Sequence, residues 1–216
     1  MAVEMLWQAK EQNVKTIVAT PHFNFEDIDI DVFFEKREQG AKLLEEACEG
    51  MENMPRIIKG AEVYLTPDMA DRKRLRELCV EGTDCILIEL PVGEWTGWIY
   101  NEIYKIRTRD MIPVLAHLER YVAHKSNIKK IERLLEMEVC VQINADDVGK
   151  FRYNSIIKKI IKSDKLVVLG SDTHNPVTRA NKIEEAIKKL KGKYGKGYLA
   201  RLENNAEMLL NNEFSF

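Results

Sequence analysis

Six apolar, strand-like segments of this 216-residue chain each end at or near a polar side chain that can bind a metal ion or polarise a substrate. The segments are IVATPH, IIKGAE, CILIE, PVLAH, VQIN and VVLGSDTH, and their polar residues are His22, Glu62, Glu89, His117, Asn144, Asp172 and His174. If the strands run parallel in one closed sheet, these groups gather at one rim, where (β/α) barrels place their active sites. A mixture of imidazole and carboxylate ligands suits manganese, iron or zinc, and the set contains no thiolate that would indicate a structural zinc site.

Each of these residues also has a purely structural interpretation. A single histidine at a strand end, such as His22 or His117, is more often a hydrogen-bonded structural residue than a ligand. Glu62 and Glu89 end apolar runs, where a carboxylate is costly unless it is bound to a metal or paired in a buried salt bridge. Asp172 could instead cap a helix. The set as a whole therefore indicates a metal site more strongly than any single member does.

Strand-like and helical segments alternate along the chain. The predicted strands are 14–20, 57–63, 84–90, 111–117, 139–144 and 166–171, and the predicted helices are 31–49, 66–78, 96–108, 128–137, 153–163, 178–191 and 203–211. This alternation predicts a parallel sheet. An open doubly wound sheet would collect ligands only near a switch point between strands, so candidates at six strand ends favour a closed or nearly closed barrel. The chain opens in a helix, MAVEMLWQAKEQN, where such a barrel normally begins with a strand.

The composition limits the classes of partner and compartment. A 45% share of hydrophobic residues can form a sizeable core, and a net charge of -2 gives no reason to expect nucleic acid or an anionic membrane surface as partner. No apolar run approaches the roughly 20 residues that span a bilayer, and the N-terminus does not have the pattern of a signal peptide. Four cysteines without a C-x-x-C pair are interpreted as reduced thiols of a cytoplasmic protein. With no linker in the sequence, we predict one domain over residues 1–216.

Five motifs, ATPH, GAE, LIELP, LAHLERY and GSDTHN, follow one another along the chain. In this order and at these intervals they resemble the PHP (polymerase and histidinol phosphatase) metallophosphoesterases. Within that superfamily they are most similar to the bacterial protein-tyrosine phosphatases of capsule and exopolysaccharide operons. The resemblance covers nearly the whole chain, as far as the terminal ENNAEMLLNN, and implies an α/β fold that is a distorted (β/α)7-type, TIM-like barrel.

The same resemblance implies an activity, which is hydrolysis of a phosphotyrosyl ester by a metal-activated hydroxide. It implies two or three metal ions, commonly manganese, with iron, zinc and magnesium as alternatives. The implied metal ligands are His22, Glu62, Glu89, His117, Asp172 and His174. Arg120 in LAHLERY and Arg179 in SDTHNPVTR match arginines that hold the substrate phosphate, although Arg120 could equally pair with Glu119 or a neighbouring helix. The implied partner is a phosphotyrosine-bearing bacterial tyrosine kinase, and assembly of several copies of the chain is left open.

One part of the family pattern does not occur in this sequence. The family opens with a strand that carries an H-x-H pair and continues into an acidic D-D-G segment, whereas the histidines here are His22, His117, His124 and His174. We therefore expect the first strand to be missing from this chain. Two alternative functions stay open. One is another PHP phosphoesterase, for example one acting on histidinol phosphate, and the other is a non-catalytic protein that binds phosphotyrosine or a partner.

Two further side chains are expected near the rim. Asn144 ends the VQIN segment and is interpreted as a hydrogen-bonding residue that orients a ligand. Trp95 lies between Gly93 and Gly97 in the segment that follows Glu89, so its ring is expected to stack on a substrate tyrosine.

Overall fold

An all-parallel sheet with flanking helices forms the framework of the protein. The computed structural model describes residues 1–214. Within them the strands are β1 (Thr16–Ala19), β2 (His22–Phe23), β3 (Arg56–Lys59), β4 (Glu62–Tyr64), β5 (Cys85–Glu89), β6 (Ile112–Leu115), β7 (Cys140–Asn144) and β8 (Val167–Gly170). The helices are α1 (Ala2–Glu11), α2 (Ile30–Ala47), α3 (Trp98–Arg107), α4 (Ile128–Leu134), α5 (Asn154–Lys162), α6 (Ile183–Tyr194) and α7 (Lys196–Leu210). Strands β2, β4, β5, β6, β7 and β8 pair side by side in that order, and β1 pairs with β3, always in parallel. The predicted parallel α/β architecture is confirmed.

The first two predicted strands are each interrupted near their carboxyl ends. Thr20 and Pro21 separate β1 from β2, and Gly60 and Ala61 separate β3 from β4. Backbone hydrogen bonds bridge both interruptions, from the Gly60 nitrogen to the Ala19 oxygen (2.9 Å) and from the Glu62 nitrogen to the Pro21 oxygen (3.0 Å). The two pairs therefore form one continuous parallel ladder, and the sheet has six strand positions in chain order.

The helices follow amphipathic patterns that bury one side against the sheet. In α5 the isoleucines recur at helical spacing, and all four are buried, namely Ile156, Ile157, Ile160 and Ile161. At the start of α2 the Asp29 side chain accepts a hydrogen bond from the Asp31 nitrogen (2.9 Å), which satisfies a backbone donor that has no partner within the helix.

The predicted helix over 66–78 is wrong. The chain forms two short 3-10 turns there, Met69–Asp71 and Leu75–Leu78. Asp68 adopts a left-handed conformation (φ 62°) and Arg72 is extended, so a continuous α-helix cannot run through either position. Met69, Leu75 and Leu78 are nevertheless buried. Their apolar spacing therefore reflects core packing of an irregular segment.

The two C-terminal helices differ in extent from the prediction over 178–191 and 203–211. The first begins later, at Ile183, because the Asn175 side chain accepts backbone hydrogen bonds from Val177, Thr178 and Arg179 and forms a turn there. The second begins earlier, at Lys196, directly after Gly195 (φ 81°).

The two faces of the sheet bury different parts of the core. Alternate strand residues such as Ile86, Ile88 and Val141 pack in the larger cluster with the helices. The residues between them, such as Cys85 and Cys140, pack in a smaller cluster that also contains Leu209 of α7. Glu89 shares the parity of Cys85 along β5, so its side chain lies on this second face, at the carboxyl end of the strand. The second face is therefore apolar along the strands and polar at their carboxyl ends.

Two smaller expectations can be compared with the fold. All four cysteines are free, as predicted, and three of them are buried, namely Cys79, Cys85 and Cys140. Among the helices of residues 1–214, none combines the length and the apolar character that crossing a bilayer requires.

Candidate metal centre

Strand register brings the first candidate ligands together. His22 on β2 pairs with Glu62 on β4, and Glu62 pairs with Leu87 on β5, two residues before Glu89. His22 Nδ1 lies 3.8 Å from Glu62 Oε1 and 3.7 Å from Glu89 Oε2. One potential ligand atom from each of the three residues lies within 4.8 Å of those of the other two. Three side chains that are far apart in the sequence thus converge at the carboxyl edge of the sheet.

His117 joins this cluster from β6. Its Nε2 lies 3.1 Å from Glu62 Oε1 and 3.9 Å from Glu89 Oε1. The backbone of His117 is left-handed (φ 34°), a conformation that is strained for a residue other than glycine and that often occurs at functional sites. Its backbone nitrogen donates a hydrogen bond to the buried side chain of Gln142, which holds the turn in place. The buried Nδ1 atom of His117 has no hydrogen-bond partner.

Two carboxylates placed this close to each other need positive charge. Burial raises the pKa of Glu89, and the nearby Glu62 carboxylate raises it further. Burial alone would lower the pKa of His117, but the hydrogen bond and the charge of Glu62 outweigh that effect and raise it. The glutamates thus favour a cation between them, whether it is an imidazolium or a metal ion. The His22 imidazole and the two carboxylates lie close enough together to share one divalent transition-metal ion, and the His117 imidazole contacts both carboxylates.

His174 connects the cluster to the loop after β8. Its Nε2 lies 3.2 Å from His22 Nε2, and its Nδ1 lies 3.4 Å from Asp172 Oδ1. Asp172 is also left-handed (φ 49°), and its carboxylate is almost completely buried. The structure therefore places His22, Glu62, Glu89 and His117 in one cluster. His174 is joined to that cluster through His22, and Asp172 is joined to His174.

The Asp172 carboxylate is occupied by other donors. Its Oδ2 atom accepts hydrogen bonds from Arg120 (2.6 Å), Arg179 (2.6 Å) and the Asn144 side-chain amide (2.9 Å). Burial would raise the pKa of Asp172, but the two guanidinium groups outweigh that effect and lower it. Both predicted phosphate-binding arginines thus converge on one oxygen atom beside the histidine and carboxylate cluster.

Arg120 has a second anchor that the sequence did not reveal. Its Nε donates a hydrogen bond to Oδ2 of buried Asp147 at 2.8 Å, so Arg120 pairs with Asp147 and Asp172 rather than with Glu119. Glu119 is completely buried, and one of its oxygens accepts the Asn144 nitrogen (2.9 Å) while the other has no partner. Burial, together with the charge of Asp147, raises the pKa of Glu119 to about 8.

Gln142 and Gly170 form another support that sequence reasoning missed. A Cβ atom on Gly170 would lie 1.8 Å from Nε2 of Gln142, so only glycine at this position leaves room for the glutamine that holds His117. The one available sequence signal was a polar residue inside the apolar CVQIN strand, which has to be satisfied when it is buried.

The expectation for Trp95 is wrong. Its side chain is only 2% exposed, its Nε1 donates to the Pro91 oxygen at 2.9 Å, and its ring packs on Tyr121 at a centroid distance of 5.0 Å. A substrate ring cannot stack on a side chain that is already enclosed. Trp95 instead supports the wall behind His117, whose ring lies 5.8 Å from that of Tyr121.

An α/β fold with clustered imidazole and carboxylate side chains beside two arginines is typical of metal-dependent phosphoesterases. Comparisons with known proteins agree with that class. The chain is 27% identical to the tyrosine-protein phosphatase YwqE of Bacillus subtilis, over 100% of this chain and 85% of that protein. It is 28% identical to the tyrosine-protein phosphatase CpsB of Streptococcus pneumoniae, over 88% of this chain and 82% of that protein.

A solved structure extends the similarity to the fold. The matching chain belongs to a set of crystal structures of two proteins, YwqE from Bacillus subtilis and CpsB from Streptococcus pneumoniae. Both proteins are described there as unique metal-dependent tyrosine phosphatases. The match has a TM-score of 0.82 at 25% identity and covers 100% of this chain and 88% of the solved chain. The family model for capsular polysaccharide synthesis, CpsB/CapC, matches residues 1–211. The chain belongs to the CpsB/CapC family.

Proposed function

We propose that this chain is a metal-dependent protein-tyrosine phosphatase that acts on a bacterial tyrosine kinase regulating capsular or exopolysaccharide synthesis. The observation that carries the proposal is the convergence of His22, Glu62 and Glu89 within 4.8 Å at the edge of the sheet where two arginines also meet. Membership of the CpsB/CapC family and similarity to named tyrosine-protein phosphatases support the same activity.

The proposed metal ligands are the six residues predicted from the sequence, namely His22, Glu62, Glu89, His117, Asp172 and His174. When bound, the metal ions supply positive charge for the phosphate and lower the pKa of water enough for hydroxide to form near neutral pH. Glu62 would be a central ligand of such a site, because its Oε1 lies within 3.8 Å of both His22 Nδ1 and His117 Nε2. Manganese is the proposed metal, with iron, zinc and magnesium as alternatives, since the donors are nitrogen and oxygen atoms.

Arg120 and Arg179 are the proposed phosphate-binding residues. In the structure their guanidinium groups share one carboxylate oxygen of Asp172, each at 2.6 Å. A phosphate oxygen offers the same negative charge to the same donors, and guanidinium groups bind phosphate through directed, charge-assisted hydrogen bonds. Burial lowers the pKa of Arg120, but Asp147 and Asp172 outweigh this effect and raise it.

The finer features of the fold and the cell biology belong to the same proposal. A single domain over 1–216 folded as a distorted TIM-like barrel is supported by six parallel strand positions in chain order. It is also supported by the 3.2 Å contact between His22, after β1, and His174, after β8, which brings the two ends of the strand order together. The proposed location is the cytoplasm, which the four free cysteines support.

Metal analysis and a substrate panel test this function. The purified chain is expected to contain a transition metal and to hydrolyse p-nitrophenyl phosphate and phosphotyrosyl peptides, with activity removed by EDTA and restored by manganese. Phosphoseryl peptides and histidinol phosphate are the comparison substrates. Exclusive turnover of histidinol phosphate would assign the chain to another phosphoesterase activity. A chain without metal and without aryl phosphate hydrolysis, but with retained phosphopeptide binding, would be a binding protein.

A further inference from the structure

The most exposed large apolar side chains lie on loops at the edge of the sheet that carries the candidate metal centre. Phe151 is 94% exposed, and Val92 and Val177 are each 81% exposed, more than any other large apolar residue of the described chain. Val92 follows β5, Phe151 follows β7 and Val177 follows β8. Parallel strands direct their carboxyl ends to the same edge of a sheet, so all three residues lie on loops at the edge that carries His22 and Glu89.

Phe151 is presented by a loop with many hydrogen bonds. The Lys150 nitrogen donates to the Asp147 oxygen (3.1 Å), and the Tyr153 nitrogen donates to the Lys150 oxygen (3.0 Å). From α6, Lys189 Nζ donates to the Val148 oxygen at 3.2 Å. The backbone on both sides of Phe151 is thus held by hydrogen bonds, so binding at this ring does not also have to order the loop.

The same loop is connected to the phosphate-binding arginine. Lys150, next to Phe151, donates to Oδ1 of Asp147 at 2.9 Å, and Oδ2 of Asp147 holds Arg120 at 2.8 Å. The backbone that carries Phe151 is therefore joined, through Lys150 and Asp147, to the arginine proposed to bind phosphate. A polypeptide advances about 3.3–3.6 Å per residue, so four residues on either side of a bound phosphotyrosine extend about 13–14 Å from it.

The charge near Phe151 also suits a particular occupant. Arg152 directly follows Phe151, is exposed, and forms no ion pair with the described residues, its guanidinium lying over the Tyr153 ring instead. Lys150 and Lys182, at the same edge, are already paired with Asp146 and Asp147. The guanidinium of Arg152 beside an exposed aromatic ring is complementary to a polypeptide that has an acidic and an apolar residue near its phosphotyrosine.

We propose that Phe151, with Val177 on the neighbouring loop, is a docking residue for the polypeptide that flanks the phosphotyrosine of a protein substrate. The inference rests on the proposed phosphatase function and adds to it the chemistry of the substrate, an acidic segment with an apolar residue close to the phosphotyrosine. A small aryl phosphate has no flanking chain, so it reaches the metal centre without using this contact.

The test compares Phe151→Ala with a matched control, Tyr104→Ala. Tyr104 is also an exposed aromatic residue (65%), but it lies at the opposite edge of the sheet. It is on α3 beside Met137 and Glu138, and these two residues come just before the start of β7. Two phosphotyrosyl peptides of about ten residues serve as probes, and both are acidic. One carries leucines within four positions of the phosphotyrosine and the other carries glycines there. The third probe is p-nitrophenyl phosphate.

Phe151→Ala is expected to lower kcat/KM for the leucine peptide about tenfold, because KM rises while kcat does not change. This is the effect expected when the peptide loses its contact with roughly half of a phenyl ring. Turnover of the glycine peptide and of p-nitrophenyl phosphate should stay within about twofold, and Tyr104→Ala should leave all three probes unchanged. Phe151→Leu should restore most of the lost affinity, because an apolar side chain is retained.

Three results would overturn the docking role. One is equal loss on p-nitrophenyl phosphate and on the leucine peptide, which would make Phe151 a structural residue. Another is no loss on any probe. A third is a change of oligomeric state in Phe151→Ala by size-exclusion chromatography with light scattering, which would identify the occupant as a second copy of the chain. Fluorescence anisotropy of the labelled leucine peptide needs no turnover, so it tests docking even if the proposed phosphatase activity fails.

Discussion

Asp147 is not a candidate metal ligand, yet its carboxylate anchors the side chain proposed to bind phosphate. It is 2% exposed and accepts hydrogen bonds from Arg120 Nε (2.8 Å) and Lys150 Nζ (2.9 Å). The substitution Asp147→Asn keeps the size and shape of the side chain and removes its charge. The asparagine amide offers Arg120 and Lys150 one neutral acceptor oxygen in place of two charged ones, so the bond that orients Arg120 is weakened or lost, while its bond to Asp172 is retained.

The expected effect follows from the strength of this hydrogen bond. A hydrogen bond to a charged group contributes about 1.5–3 kcal/mol, and each 1.36 kcal/mol of transition-state stabilisation corresponds to about tenfold in rate. If the Asp147 bond is what holds Arg120 in position, Asp147→Asn should lower kcat/KM for p-nitrophenyl phosphate about 10- to 100-fold. Metal content should not change, because the Asp147 carboxylate bonds to Arg120 and Lys150 rather than to a candidate ligand.

Asp146→Asn is the matched control. Asp146 is the neighbouring residue and bonds to Lys150 and Lys182, but not to Arg120. Its substitution is expected to leave kcat/KM within about twofold of the unsubstituted chain. Steady-state kinetics, metal analysis and thermal unfolding are measured for both variants. Equal losses of activity in the two variants, or loss of metal in Asp147→Asn, would refute a positioning role of Asp147 through Arg120.

Four further predictions concern the ligands and the thiols. His117→Ala and Asp172→Ala should each lower activity by at least about 100-fold and reduce metal content, and normal turnover in both would remove them from the site. Histidine ligands bind metal only when neutral, so bound metal should be released as the pH falls toward or below about 6.5, and tight binding moves this release to lower pH. Metal analysis after dialysis at each pH measures the release. Metal that is retained down to strongly acidic pH would exclude histidine ligation. In the native chain Cys48 should react with a thiol reagent well before the other cysteines, since burial raises the pKa of Cys85 to about 11 and those of Cys79 and Cys140 to about 12. Because the folded chain favours the protonated form of these three thiols, their contribution to the free energy of unfolding is complete below the ordinary thiol pKa of 9.0. It is lost as the pH rises through about 11–12. Denaturant titrations at several pH values measure this loss.

Local sequence patterns predicted the strands well, because alternation and apolar runs depend on neighbouring residues. Strand β5 was expected over 84–90 and lies at Cys85–Glu89, with Glu89 on the face that its parity predicted. The helix expected over 66–78 failed, because the same apolar spacing is buried by two 3-10 turns once Asp68 takes a left-handed conformation. Trp95 failed for a related reason, since composition alone cannot distinguish an exposed aromatic ring from an enclosed one.

The sequence by itself determined the alternation of strands and helices, the parity of Glu89 and the polar residue at each strand end. These features follow from the backbone periods of two and 3.6 residues, which act over a few neighbours. Only the tertiary structure decided that Asp147 anchors Arg120, that Gln142 supports His117 over Gly170, and that Phe151 is exposed at the rim. Each of these depends on strand register and on loops that meet from distant parts of the chain. No local pattern encodes such a distance, because it is set by how the whole sheet packs.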